Sequence, residues 1–77
     1  METERAKLEK AVDEFADEMK RKLIDKLKSG YHGWNDSSYS DIIKDKLLSH
    51  TRRMVNGDLS QGVDVANLAM MLYRKKK

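Results

Sequence analysis

Between Thr3 and Ser29 the apolar residues Leu8, Val12, Phe15, Met19, Leu23 and Leu27 recur every three or four positions, the spacing that gathers side chains into one stripe of an α-helix. The opposite face is charged. Acidic residues crowd its first part (Glu9, Asp13, Glu14, Asp17, Glu18) and basic ones its last (Lys20, Arg21, Lys22, Lys26, Lys28), an order that complements the helix dipole. Gly30 is placed to end this helix. The following stretch, 30–38, reads GYHGWNDSS, a run of turn-forming residues. A second helix is predicted from there, capped by Asp36, Ser37 or Ser38, with Tyr39, Ile43, Leu47, His50 and Met54 along one face, ending at Asn56-Gly57. After a connector over 58–61, a third helix is predicted from about Gly62 to Arg74. Its residues Val63, Val65, Ala66, Leu68, Ala69, Met70, Met71 and Leu72 surround the axis. A helix apolar all round is expected to be buried, so Val65, Ala69 and Leu72 should be inaccessible.

The pattern predicts an all-α, three-helix module in which the first two helices form a hairpin and the third is buried. Composition agrees, since the chain has no Pro and only 4 Gly, both poor helix formers. At 77 residues it reads as a single helical domain, 1–77, near the lower limit for one self-sufficient core. Two helices barely cover a third, which points to a homo-oligomer. The charged start METERAKLEK and the lack of any apolar run of membrane-spanning length point to a cytoplasmic protein without membrane contact. Without Cys, and with His32 and His50 as the only histidines, no thiolate or histidine-rich metal site and no cofactor is expected. The net charge of +3 is less than the basic tail 74–77 alone contributes, and such a terminus reads as a solvated end.

Few residues carry a chemical signal. His50 lies on the apolar stripe of the second helix, where a hydrogen-bonded core residue is commoner than a ligand or base. His32, in the turn, is a better candidate for ligand contact. Trp34 either plugs the end of the bundle or offers a stacking surface between glycines. Lys22 and Lys26, one helical turn apart, together with Arg52 and Arg53, are candidate phosphate contacts or ordinary surface charges. Asp64 and Asn67 read as structural, Asp64 by capping the third helix or pairing with a neighbouring Arg. Glu14, Asp17 and Glu18 sit on an exposed face, and Asp41, Asp45 and Asp64 are too few to supply two facing acidic pairs for a metal. A helix-turn-helix reading for DNA is disfavoured, because the third helix offers bases and phosphates little beyond Asn67 and the tail.

The runs GYHGW at 30–34 and VDVANLAMML at 63–72 resemble small bacteriophage proteins similar to the MazG-like, all-α nucleoside triphosphate pyrophosphohydrolases, including those described as dATP/dGTP diphosphohydrolases. In that family an E-x-x-E pair on one helix and an E-x-x-D pair on the next hold Mg²⁺ on the triphosphate. Here the first pair is replaced within Ser49, His50, Thr51, Arg52, Arg53 and Met54. In the second, Asp64 matches the aspartate while Gln61 stands at the glutamate. The resemblance therefore implies a degenerate relative that keeps a nucleotide-shaped pocket, with guanidinium groups meeting phosphate where a metal once did.

These readings converge on a non-catalytic, phage-type protein that captures a small anionic nucleotide or nucleotide-like signalling molecule, counteracting a host defence. The expected ligand-binding residues are Lys22, Lys26, Tyr31, His32, Trp34, Arg52 and Arg53, gathered by the hairpin near the turn after the first helix. Two alternatives stand beside this one: a protein–protein interaction module that inhibits a host protein, and a Mg²⁺-dependent nucleoside triphosphate pyrophosphohydrolase.

Overall fold

The computed structural model describes residues 2–30, 33, 34 and 36–75. Three helices account for most of them: α1 (Glu4–Lys28), α2 (Ser40–Val55) and α3 (Gly62–Lys75). Short 3-10 turns, Ser37–Tyr39 and Leu59–Gln61, lead into α2 and α3. No strand occurs among the described residues.

Each helix end has a local cause. Thr3 caps α1, its hydroxyl accepting from the Ala6 amide at 3.1 Å, which satisfies one of the orphan donors of the first turn. The chain leaves α2 at Gly57 (φ +120°), with Gly57 N donating to Met54 O and Asp58 N to Arg53 O. Those two bonds make a Schellman turn, and its left-handed residue is the reason for glycine there. Asp36 does not cap α2 directly. Its carboxylate accepts from the backbone and hydroxyl of Ser38, both at 3.0 Å, and so closes the 3-10 turn that precedes the helix. Lys75 departs from the expectation of a solvated tail. It lies within α3 and donates to the Asp36 carbonyl (2.8 Å) and Ser40 hydroxyl (3.2 Å), tying the end of the last helix to the start of α2.

The core is small. Ile43, Leu68 and Met71 are its buried apolar residues, with Leu23, Trp34, Leu47, Met70 and Leu72 packed around them. α3 is central: α2 packs closely along it, and α1 meets it through its C-terminal half. The expected hairpin of α1 and α2 is not a closely packed pair among the described residues; α3 is what joins them. Nor is α3 buried all round. Asn67, Leu68 and Met71 face inward, Val65 and Leu72 are half-buried, and Ala69 and Tyr73 are exposed, because two helices shield only one side of a third. α1 contributes no buried residue at all.

Ile43 is 1% exposed and is, among the described residues, the one large side chain that is fully enclosed. Truncating a buried Ile to Ala costs about 2–5 kcal/mol, while a chain of this length holds on the order of 4–12 kcal/mol in total. Ile43→Ala is therefore expected to unfold much of the population at 25 °C, read as lost helical circular dichroism. A variant as stable as the parent would show that the core lies elsewhere.

Candidate functional site

Where the C-terminal half of α1 meets α2 and α3, a cleft of about 240 Å³ opens. α1 supplies Leu23 and Lys26; α2 supplies Lys46, Ser49, His50 and Arg53; α3 supplies Asp64, Asn67, Leu68 and Met71. The spacing is helical in each case. Residues 46, 49, 50 and 53 fall on one strip of α2, as do 64, 67, 68 and 71 on α3, so a polar strip of α2 faces Asp64 and Asn67 beside the apolar Leu68 and Met71. Three of the charged lining groups are cations, and the single carboxylate, Asp64, is paired with Lys22 at 3.0 Å. That pair is half out of solvent on the Lys22 side and nearly buried on the Asp64 side. It offsets the charge of the one lining carboxylate with a cation from outside the lining.

Two polar groups in the lining are fixed by their partners. Asn67 is 5% exposed and donates its Nδ2 to the Met19 carbonyl at 3.4 Å. A carbonyl can only accept, so Oδ1 must turn the other way, and there it has no hydrogen-bond partner. A buried acceptor left in that state costs about 1–3 kcal/mol. His50 is held by a relay: Gln61 Nε2 donates to Asp58 at 3.0 Å, which turns Gln61 Oε1 towards His50 Nδ1, 2.5 Å away. Since the Asp58 carboxylate cannot donate, Nδ1 carries the proton. In that tautomer the other ring nitrogen, Nε2, is an acceptor.

The expected site residues divide. Lys26 and Arg53 line the cleft. Lys22 is engaged by Asp64 and does not line it, and Arg52 is exposed on another side of α2. Asp64 pairs with Lys22, in place of the arginine expected for it. Trp34 lines a separate apolar hollow of about 180 Å³ with Ile24, Leu27 and Met70, sharing with the cleft only Leu23 and Met71. It packs against the core, as a plug does. Tyr31 and His32 lie outside the described residues. The sequence reading missed Lys46 and Ser49 and weighed His50 as core; their i, i+3, i+4, i+7 relation to Arg53 was the available signal.

Among the described residues, no three His, Asp or Glu side chains come together as a metal ion would need. Asp41 and Asp45 are exposed on α2. No helix there is long and apolar enough to cross a membrane. No family model, curated protein or solved structure matches the chain.

The relay carries a pH dependence. Asp58 is held below the ordinary carboxylate value, first by the Ser60 hydroxyl and then by the Gln61 amide. A lowered folded-state value means stability that is present above the ordinary aspartate pKa and is lost as pH falls through the lowered one. The thermal midpoint is expected to drop as pH is taken below about 4, and less steeply in Asp58→Asn. An identical pH profile in the variant would remove Asp58 from this role.

Proposed function

We propose that this protein is a non-catalytic binding protein that captures a small, phosphate-bearing, nucleotide-like ligand in the cleft between its three helices. The observation that carries this reading is the lining itself: Lys26, Lys46 and Arg53 beside the buried, unpartnered Oδ1 of Asn67. Cations attract a phosphate, and the guanidinium of Arg53 can meet it with two parallel bonds. An acceptor without a donor selects a ligand that also carries an N–H or O–H group. The volume restricts what enters. Pockets for whole drug-sized molecules start at about 300 Å³, so a cleft of 240 Å³ suits a phosphate with a few further atoms. The rest of the ligand would extend over Leu23 and Met71 towards the hollow beside Trp34, where an aromatic base can stack.

The resemblance to MazG-like proteins supports the same place. The positions at which that family carries its metal-binding carboxylates correspond here to 49–54, Gln61 and Asp64. In this chain Ser49, His50, Arg53 and Asp64 line the cleft, and Gln61 orients His50. Cations and a histidine in place of carboxylates favour phosphate held directly over phosphate held through Mg²⁺. Capture without turnover would lower the concentration of a signalling nucleotide, the use a phage would have for it against a host defence. We further infer that the chain associates with itself, since its core is too small to cover three helices.

Calorimetry against inorganic phosphate, nucleoside triphosphates and cyclic oligonucleotides tests the capture. Arg53→Ala is expected to weaken binding by about 1.5–3 kcal/mol, the range for a hydrogen bond to a charged group, and Arg52→Ala by much less. Asn67→Leu should also weaken binding; it removes an acceptor that no group in the fold satisfies together with the weak bond to the Met19 carbonyl, so its stability is to be measured alongside. Equal losses from both arginine variants, or no heat from any ligand, would refute the cleft. Hydrolysis is the second test. Nucleoside triphosphates with Mg²⁺ or Mn²⁺ are expected to remain intact, and turnover abolished by Asp64→Asn would make the protein an enzyme.

A further inference from the structure

The charged cleft and the apolar hollow beside Trp34 are neighbours on both of the helices they share. On α1, Lys26 borders the cleft and Leu27 the hollow; on α3, Asn67 and Leu68 border the cleft and Met70 the hollow. Consecutive residues of an α-helix point about 100° apart, so α1 turns one of two adjacent side chains to each space. Leu23 and Met71 line both and form the wall between them.

Size limits what each space can hold. A water molecule in the liquid takes about 30 Å³, so 240 Å³ seats roughly eight atoms of that size: the five of one phosphate and a few of a sugar, but not the thirteen of a triphosphate. The hollow, at about 180 Å³, is close to the roughly 150 Å³ at which an apolar cavity takes up benzene, and so to a single six-membered ring. Its side chains offer that ring apolar contact, the face of Trp34 and the sulfurs of Met70 and Met71. Apart from the indole N–H they carry no hydrogen-bonding group by which one base could be told from another.

The turn that carries Trp34 is held from three sides. Gly33 (φ +83°) abuts the Tyr39 ring, which a Cβ there would meet at 3.2 Å. The Asp36 amide donates to the Gly33 carbonyl, and Lys75 of α3 donates to the Asp36 carbonyl. A ring wall fixed in this way needs little ordering when a ligand arrives.

The geometry points to one nucleoside monophosphate as the unit this protein recognises: its phosphate among Lys26, Lys46 and Arg53, its sugar across the Leu23–Met71 wall and its base on Trp34, whichever base that is. This rests on the capture reading above and narrows it. The outer phosphates of a triphosphate then lie outside the cleft, where water and salt screen them.

Trp34 is the chain's one tryptophan, so its fluorescence reports on the hollow while calorimetry reports on binding in either space. The full chain, in salt of about 0.15 M, is titrated with inorganic phosphate, the four ribonucleosides, their 5′-monophosphates and their triphosphates. The monophosphates should shift Trp34 emission and bind about tenfold or more tighter than phosphate or nucleoside alone. Triphosphates should stay within about threefold of the monophosphates, and the four bases within about tenfold of one another, whereas a site that reads hydrogen bonds separates its ligands by about 10⁴-fold. Ile24 is 51% exposed and lines the hollow from outside the buried cluster. Ile24→Gln should therefore keep the helical circular dichroism, weaken the monophosphates about fivefold and leave inorganic phosphate unchanged. Phosphate that binds while no nucleotide alters Trp34 emission would leave the cleft standing and overturn the role of the hollow. Triphosphates tighter by more than that threefold would overturn the single phosphate seat. Bases further apart than tenfold, or a folded Ile24→Gln protein with the parent's affinity, would overturn recognition by stacking. Silence from every compound would end the capture reading and this one with it.

Discussion

The contact of Leu68 and Met71 on α3 with Ile43 on α2 is what everything else in this protein leans on. With so few buried apolar residues, the hydrophobic term is close to the minimum a chain of this length needs. α2 and α3 form a pair through that contact, and Lys75 fastens its open end by reaching the start of α2. α1 is added to the pair through Leu23, the Lys22–Asp64 bridge and the weak Asn67–Met19 bond. A cleft survives at the junction because α1 reaches the core with one leucine while its neighbours there are long and charged. Lys26, Lys46 and Arg53 line it.

The Lys22–Asp64 bridge has two effects that pull in the same direction. Mechanically it joins α1 to the first turn of α3 at a point partly screened from water. Electrically it cancels the only carboxylate in the cleft. Had Asp64 faced the cleft unpaired, it would have opposed an anionic ligand and attracted a cation. Asp64 is thereby engaged in holding the helices together.

The three helices could be read from the sequence because their causes are local: stripe periodicity, Thr3 at one end of α1, Gly30 and Gly57 at others. Their ends fell within a residue or two of expectation. How they pack could not be read so directly. The all-round apolarity of α3 spoke for burial, but a stripe says which side wants cover and not whether enough helix exists to cover it, and Ala69 and Tyr73 stay open for that reason. The site was half legible. Charge pointed to Lys26 and Arg53, which line the cleft, whereas Trp34 was grouped with them through the expected hairpin and shares only the Leu23–Met71 wall. Lys46 was overlooked and His50 was weighed as core, because the strip they form with Arg53 gains meaning only when Asp64 and Asn67 of α3 stand opposite. The orphaned acceptor of Asn67 had no signal in sequence, since it depends on which carbonyl its amide meets.

α1 is the helix on which the proposed cleft depends. Its C-terminal half forms one wall of it; its N-terminal half leaves Leu8 and Val12 exposed. Its attachment to α3 is thin, and few buried contacts resist its opening. A ligand that bridged Lys26 on α1 to Arg53 on α2 would hold α1 in place. A chain too small to fix its longest helix by hydrophobic burial can in this way leave that task to the partners it binds.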